Sequence, residues 1–192
     1  MRRRQDIPRH WLMTDERMGD DLWRALAALP AGAGVVFRHY RTDAAARRRL
    51  YERVRAIARR RRLVLVLADS GARAVGWRAA GRHGPGPMQG LPRHMLRTAA
   101  AHDRAELVRA VRNGAELVFL SPVFATRSHP GAPPLGPLRF GLLARHAAVP
   151  VVALGGIDEQ RQSRLRRLGS NGFAAIDGWV GRPRQKASEV PR

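Results

Sequence analysis

Cysteine is absent from this chain of 192 residues, and lysine occurs once, as Lys186. The absence of cysteine excludes a disulfide framework, a thiolate nucleophile and a metal site with cysteine ligands. A reaction that needs a lysine amine could use only Lys186, close to the end of the sequence. Any cationic chemistry therefore depends on arginine and histidine.

The sequence also lacks a long hydrophobic run. Its longest nearly apolar stretch, residues 147–157, contains Pro150, Gly155 and Gly156. Spanning a bilayer takes about 20 apolar residues, so no membrane helix is predicted. The first residues, MRRRQDIP, lack the apolar segment that follows the basic residues of a secretory signal. We expect a cytoplasmic protein that does not bind membranes.

Acidic residues are scarce. The 15 Asp and Glu residues are outnumbered by 36 Lys and Arg residues, which gives a formal net charge of +21. Such a charge attracts polyanions, including nucleotides, pyrophosphate and nucleic acid. Arginines on the solvated faces of amphipathic helices would produce the same number. The basic stretches are not interleaved with aromatic residues as in many nucleic-acid binders, so a nucleic-acid partner is not expected.

Short apolar runs alternate with helical patterns, which is typical of repeated βα units around a parallel sheet. The near-continuous apolar character of the runs indicates strands buried on both faces. We predict an α/β fold, a single TIM-type (β/α)8 barrel over residues 1–180, followed by a flexible basic tail over 181–192. The predicted strands are residues 10–14, 35–38, 63–67, 73–77, 96–100, 117–121, 150–154 and 173–177.

The helices are predicted from their start signals and apolar stripes. Asp43, Asp103 and Asp158 can each cap a helix, and a fourth helix is predicted around residues 19–29. Only about five residues separate the third and fourth predicted strands, too few for a crossover helix. Residues 78–92 are rich in glycine and proline and are predicted to be a loop. The barrel is therefore expected to be trimmed, with helices missing around strands 3–5.

Polar residues follow most of the predicted strands. Function in such barrels concentrates at the C-terminal ends of the strands, so these residues could form one site. The same pattern also arises simply because strands end where polarity begins. The residues are Thr14 and Asp15, Arg38, Asp69, Arg78, His102, Ser121, Gly155 and Gly156, and Asp177.

Two of these connections are more specific. Gly155 and Gly156 stand between a buried strand and a predicted helix, where glycine lets a phosphate approach backbone N–H groups. A tight turn that needs positive φ is the alternative. Residues 121–136 are too long for an ordinary turn and could be a binding loop or a solvated surface loop. The donors that this loop offers to an anion are Thr126, Arg127, Ser128 and His129.

His102 comes directly before a predicted helix and could polarise a substrate; a packed or backbone-bonded histidine is the alternative. The remaining histidines show no metal-ligand spacing, and the sequence has no HExxH pattern. A nucleophile elbow and a Walker loop are also absent.

Five segments, in this order and spacing, resemble the thiamine phosphate synthase and TenI family. The similarity is strong over residues 96–180 and weaker before them. The segments are WLMTDER at 11–17, AAH at 100–102, NGAELVFLSPVFATRSHPGAPPLG at 113–136, VPVVALGGI at 149–157 and NGFAAI at 171–176.

The resemblance implies a reaction that joins hydroxymethylpyrimidine diphosphate to thiazole phosphate and releases pyrophosphate, with Mg²⁺ on the diphosphate. Because the pyrimidine–pyrophosphate bond is thought to ionise, the protein mainly positions and neutralises the leaving group. By resemblance, Arg38 and His102 are the expected catalytic residues and Asp69 is the expected Mg²⁺ ligand. The expected substrate- and phosphate-binding residues are Thr126, Ser128, His129, Gly155, Gly156 and Asp177.

The chain departs from the family pattern at several of these positions. A family glutamine is Val36, two lysines are Tyr40 and His129, an asparagine is Ala68, and the phosphate-binding serine is Asp177. Residues 78–92 contain no acid to serve as the second metal ligand, and the TenI tautomerase histidine is Pro122. Two alternatives therefore stand beside the synthase: a catalytically degenerate barrel that binds a phosphorylated metabolite or a partner protein, and, less favoured, a basic nucleic-acid binder.

Overall fold

The computed structural model describes residues 7–126, 133–157 and 159–180. Its eight strands are parallel and form a closed barrel in which each pairs with the next along the chain and the last pairs with the first. This confirms the predicted TIM-type barrel. The strands are β1 His10–Met13, β2 Gly34–Phe37, β3 Val64–Ala68, β4 Gly81–His83, β5 Leu96–Ala101, β6 Leu117–Leu120, β7 Val151–Leu154 and β8 Gly172–Ala175.

Six α-helices of the described residues return the chain along the outside of the barrel. Because they run antiparallel to the strands, their N-termini lie at the end of the barrel where the strands finish. The helices are α1 Asp21–Ala28, α2 Ala44–Arg61, α3 Gly71–Gly76, α4 Arg104–Arg112, α5 Gly136–Arg145 and α6 Glu159–Arg167.

Two of the predicted helix starts are confirmed. The Asp43 carboxylate accepts hydrogen bonds from the N–H groups of Ala45 and Ala46 at 3.1 and 3.0 Å. The Asp103 carboxylate accepts one from the N–H of Glu106 at 2.8 Å. Each bond satisfies a backbone donor that the first turn of a helix leaves unpaired. The third predicted cap, Asp158, lies outside the described residues.

The prediction for the fourth strand is wrong. Residues 73–77 fall mostly in α3, which Ser70 starts by accepting a hydrogen bond from the N–H of Arg73 at 3.2 Å. The actual strand, Gly81–His83, lies inside the segment predicted to be a loop. Its sequence, GRH, carries no aliphatic side chain. A Cβ at Gly81 would lie 2.3 Å from the carbonyl oxygen of Leu96, so glycine is needed for the close approach of β5.

The thin sector of the barrel is present around β4. The connection from β3 to β4 holds the six-residue helix α3, and the connection from β4 to β5 is described throughout and contains no helix. The two connections beside β4 thus hold one helix of less than two turns, which agrees with the prediction of missing helices around strands 3–5. The short helix is an addition to that prediction.

Apolar side chains fill the barrel and also the space between barrel and helices. Inside, the Trp11 ring packs edge-on against Phe119 from the opposite side, with ring centroids 5.1 Å apart. After β8 a short 3-10 turn, Asp177–Trp179, takes the place of a helix among the described residues. The Trp179 ring stacks on Phe173 and its Nε1–H donates to the carbonyl oxygen of Trp11 at 2.9 Å. Within the described part of the chain, none of the helices combines the length and apolarity that crossing a membrane requires.

Candidate active site

The C-terminal ends of β2 and β3 bring two of the predicted residues, Arg38 and Asp69, to neighbouring positions. The link between them is Arg47, in the first turn of α2. Its Nη1–H donates to the Asp69 carboxylate, and its Nη2–H donates to the carbonyl oxygen of Arg38 at 3.5 Å. The two predicted residues therefore belong to one hydrogen-bonded group at the mouth of the barrel.

Arg38 follows β2, and its side chain is held against the residues that follow β1. Its Nε–H donates to the carbonyl oxygen of Thr14 at 2.9 Å, and its Nη2–H lies 3.4 Å from the Asp15 carboxylate. Only 19% of the side chain is exposed. Burial lowers the pKa of Arg38, which Asp15 partly offsets, but a guanidinium stays charged at any ordinary pH. A fixed and largely desolvated cation faces the mouth.

Asp69 is surrounded by donors. One carboxylate oxygen accepts from Arg47 and from Arg73, the latter at 2.9 Å, and the other accepts from the N–H of Ser70 at 2.7 Å. Burial opposes ionisation, but the hydrogen bonds from Arg47, Ser70 and Arg73 outweigh it and lower the pKa of Asp69. The carboxylate is charged at neutral pH, and both of its oxygens are engaged.

Sequence reasoning missed Arg47 and Arg82. Arg47 is 6% exposed, and its guanidinium carbon lies over the rings of Phe37 and Trp77, 5.8 and 5.5 Å from their centroids. Arg82, in β4, donates from Nε to the carbonyl oxygen of Asp69 at 3.0 Å. A signal for Arg47 did exist, because it continues the buried stripe of Tyr51, Val54 and Ala58 at helical spacing.

Two buried histidines also lie at these strand ends and were not predicted as site residues. The His83 ring packs against Phe119 inside the barrel, and its Nδ1 lies 3.0 Å from the Thr98 hydroxyl oxygen. Burial, with the charges of Arg38 and Arg82, lowers the pKa of His83 to about 3. His39 stacks on Phe37, lies 3.0 Å from the Thr14 hydroxyl oxygen, and has a pKa lowered mainly by burial. His83 is therefore neutral at pH 7.

His102 follows β5 and lies at the start of α4. Its Nδ1 and its backbone N–H both contact the Glu106 carboxylate, at 2.8 and 2.9 Å. About half of the side chain, 51%, is exposed. Through these contacts His102 helps to stabilise the start of α4. The catalytic role that the resemblance implies stays a prediction.

The glycine pair after β7 packs against the segment that follows β6. Gly155 and Gly156 have φ values of 98° and 62°, which L residues rarely adopt. A Cβ at Gly156 would lie 2.5 Å from the carbonyl oxygen of Ala125, so the turn leaves no room for a side chain. The tight-turn interpretation therefore describes these glycines, and anion binding there remains a prediction.

A cation that the sequence did not single out lies beside this turn. Arg161, in α6, donates from Nη1 to the carbonyl oxygen of Gly156 at 2.5 Å, and its guanidinium carbon lies 4.7 Å from the Phe124 ring centroid. Thr126 is partly exposed close by in sequence, at the edge of the described residues. Ser128 and His129 lie outside the described residues.

Asp177 begins the 3-10 turn after β8 and is exposed. Its charge helps to raise the pKa of Arg17, for which the hydrogen bond with Asp15 is the main cause. Arg17 contacts Asp15 through Nε at 2.7 Å. Arg17 is bonded to Asp15 and attracts Asp177 only weakly, so the negative charge of Asp177 is offset in part.

The described residues do not fit a protein-bound Mg²⁺ site at Asp69. A carboxylate whose oxygens are occupied by two guanidiniums and an N–H offers no ready ligand position, and the adjacent positive charges repel a divalent cation. Across the described ranges, no group of three or more His, Asp or Glu side chains is arranged to hold a metal ion. The role of Asp69 as a metal ligand stays a prediction.

Comparisons with known proteins identify the family to which the chain belongs. The family model described as thiamine monophosphate synthase matches residues 11–178. A thiamine-phosphate synthase from Chloroflexus aurantiacus is 32% identical over 164 residues, covering 80% of this chain and 75% of that protein.

Among solved structures, a thiamine phosphate pyrophosphorylase from Pyrococcus furiosus is 21% identical with a TM-score of 0.74, covering 90% of this chain and 87% of its own. A second pyrophosphorylase, from Bacteroides thetaiotaomicron, is 17% identical with a TM-score of 0.61, covering 94% and 89%. These two likenesses support the fold. On the extent of the family match and the identity to the Chloroflexus protein, the chain belongs to the thiamine monophosphate synthase family.

Proposed function

We propose that this protein joins hydroxymethylpyrimidine diphosphate to thiazole phosphate and releases pyrophosphate, forming thiamine phosphate. Family membership supports the reaction class. The observation that carries the proposal in this chain is the guanidinium of Arg38, fixed at the mouth by Thr14 and Asp15. A fixed cation at that position suits a reaction whose leaving group gains negative charge.

Arg38 has the central role in this proposal. As the bond between the pyrimidine and the diphosphate ionises, the departing pyrophosphate takes the electron pair and its charge grows. A guanidinium already oriented by two hydrogen bonds needs little reorganisation to stabilise that charge. The thiazole nitrogen then forms the new bond to the pyrimidine's methylene carbon. His83 lies buried near Arg38 and is neutral, so it adds no charge to this site.

We place the thiazole phosphate on the other side of the mouth, between the glycine turn and the end of β8. The proposed contacts are the backbone of Gly155 and Gly156, together with Thr126, Ser128 and His129. Arg161 beside the turn and Arg17 near Asp177 support the assignment because both are cations at that side. His102 is proposed as a lesser contributor, acting from the end of β5.

The family's Mg²⁺, if it takes part here, would lie on the diphosphate of the substrate. Asp69 would be its protein ligand by resemblance, but its oxygens are already engaged by Arg47, Arg73 and Ser70. We therefore route no step through a metal ion.

The experiment is an assay of the purified protein with both substrates, measuring thiamine phosphate and pyrophosphate. Wild type should form both products, and Arg38→Ala should lose at least about 100-fold in turnover, the scale on which a single charge-stabilising donor acts. Arg38→Lys should retain part of the activity, because it keeps the charge without the paired donors.

Arg60→Gln is the matched control, since Arg60 is exposed in the last turn of α2, at the opposite end of the barrel. It should leave turnover unchanged. Absence of product from a folded wild-type protein would reject the synthase and favour the binding barrel.

A further inference from the structure

The carboxylates at the mouth are used to hold arginines. Asp69 accepts from Arg47 and Arg73, and Asp15 accepts from Arg17 and Arg38. In a site built around Mg²⁺, one or two carboxylates usually face the metal and its waters. Here the same residue type orients guanidiniums.

The positive charge at the ends of β2 to β4 exceeds the negative charge. Arg38, Arg47, Arg73 and Arg82 lie there, whereas Asp69 and, from β1, Asp15 are the carboxylates bonded to them. The hydrogen bonds of Arg82 go to the carbonyl oxygens of residues 69, 85 and 87, and its charge is offset only in part, by the nearby Asp69 carboxylate that already binds Arg47 and Arg73. The group carries a net positive charge that a diphosphate could balance.

The members of the group differ in how freely they can reach a ligand. Arg47 is buried, and its guanidinium lies over the rings of both Phe37 and Trp77, which fixes it in place. Arg73 bonds to Asp69 through Nη1 alone, and 51% of its side chain is exposed. Arg38, at 19% exposure, is fixed but open to the mouth. Arg38 and Arg73 are therefore the members placed to contact an anion, with Arg47 and Arg82 as supports.

We propose that the diphosphate of the substrate is bound by Arg38 and Arg73, and that Asp69 orients arginine instead of ligating Mg²⁺, so that binding of the diphosphate does not require a metal ion. The proposal rests on the proposed function for the identity of the ligand. Its physical basis is that guanidinium and phosphate form paired, charge-assisted hydrogen bonds that supply both charge and geometry.

Calorimetric titration of the full chain with inorganic pyrophosphate tests this proposal, once in EDTA and once with Mg²⁺. We expect binding in EDTA, with an affinity that Mg²⁺ changes by less than about threefold. Arg73→Gln should weaken binding in EDTA by about tenfold or more, as expected for loss of a charged donor. Asp69→Asn should weaken binding in EDTA by less than Arg73→Gln does, because the arginines that Asp69 orients are still present, and its affinity should respond to Mg²⁺ as that of wild type does, because no metal ligand is lost.

The control for non-specific attraction is again Arg60→Gln, which removes one charge far from the mouth and should leave the affinity unchanged. A loss equal to that of Arg73→Gln would assign the binding to net charge and overturn the proposal. A tenfold or greater gain on adding Mg²⁺ that Asp69→Asn abolishes would also overturn it, since that pattern identifies Asp69 as a metal ligand. Thermal unfolding of each variant verifies that it folds.

This readout separates the two proposals. Metal-independent pyrophosphate binding by a protein that forms no thiamine phosphate would support the arginine site and reject the synthase. Thiamine phosphate formation that depends strictly on Mg²⁺, together with metal-dependent pyrophosphate binding, would support the synthase and reject the metal-independent arginine site.

Discussion

At the scale of single residues, His83 shows what burial does to a titratable group in this barrel. The residue is 7% exposed, and its charged neighbours, Arg38 and Arg82, add to the cost of protonation. In the unfolded chain a histidine titrates near 6.5, whereas in the folded protein the pKa of His83 is about 3. Between those values the unfolded state binds a proton that the folded state does not. The stability associated with His83 is therefore complete above pH 6.5 and is lost as the pH falls toward 3.

The corresponding prediction concerns the pH dependence of folding. Between pH 7 and pH 5, His83 should remove about 2 kcal/mol from the free energy of unfolding, an amount that follows from the two pKa values by linkage. His83→Asn should make the loss between these pH values smaller by about that amount. Urea unfolding at a series of pH values measures it. His10 and His39, whose pKa values burial also lowers, contribute equally to both proteins and cancel.

The matched control is His94→Asn, since His94 is exposed in the connection between β4 and β5. This variant should keep the wild-type slope. If His83→Asn keeps it as well, His83 does not stay neutral in the folded state.

At the scale of secondary structure, the sequence predicted most strands because their side chains are aliphatic on both faces. Strands β2, β3, β6 and β7 all lie within or almost within the predicted bounds, and their residues are nearly all buried. Strand β4 was not predicted because its sequence, GRH, has no apolar pattern. It is a strand because its backbone pairs with β3 and β5, which the local sequence does not indicate. Arg38 and Asp69 could be predicted from motif positions. Their bonding to Arg47 could not, because it depends on how α2 is rotated against the barrel.

The glycine turn after β7 allows a prediction of how much stability a side chain at Gly156 would cost. Gly156→Ala would need a positive φ of 62° and would place a Cβ 2.5 Å from the Ala125 carbonyl oxygen and 2.9 Å from the Phe124 Cβ. We expect a loss of about 2–5 kcal/mol in the free energy of unfolding, combining backbone strain with overpacking. Urea unfolding at neutral pH gives the value.

Gly32→Ala separates the two contributions. Gly32 also has a positive φ, 79°, but a Cβ there would meet no atom within 4 Å. Its loss should be about 1 kcal/mol, the cost of the backbone alone. Equal losses in the two variants would show that the contact of the new Cβ with Phe124 and Ala125 contributes nothing.

At the scale of the whole molecule, charge is distributed unequally between the two ends of the barrel. The helix-capping aspartates Asp43 and Asp103 lie at the mouth, and the last turns of α2, α4, α5 and α6, which carry arginines, lie at the opposite end. Cations there interact favourably with the helix dipole but repel one another. At that opposite end Glu116, in the connection from α4 to β6, forms an ion pair with Arg97 of β5 at 3.4 Å. Arg59 to Arg62, four exposed arginines in succession, also lie there.

This distribution predicts that salt stabilises the protein. Raising NaCl from about 20 to about 300 mM shortens the screening length from roughly 20 Å to below 10 Å and should raise the melting temperature, because repulsion among the arginines weakens. Replacing Arg59 and Arg60 with glutamine should raise the melting temperature at low salt and reduce its dependence on salt.

The control is the pair Arg24→Gln and Arg48→Gln, whose guanidiniums contact Asp21 and Glu52 at 2.9 and 2.5 Å. Removing these paired charges should give no gain at low salt, because an attraction is lost along with the repulsion. A melting temperature that falls as salt is added would show that ion pairs, and not repulsion, dominate the surface electrostatics, and the unequal distribution of arginines would then have no cost to folding.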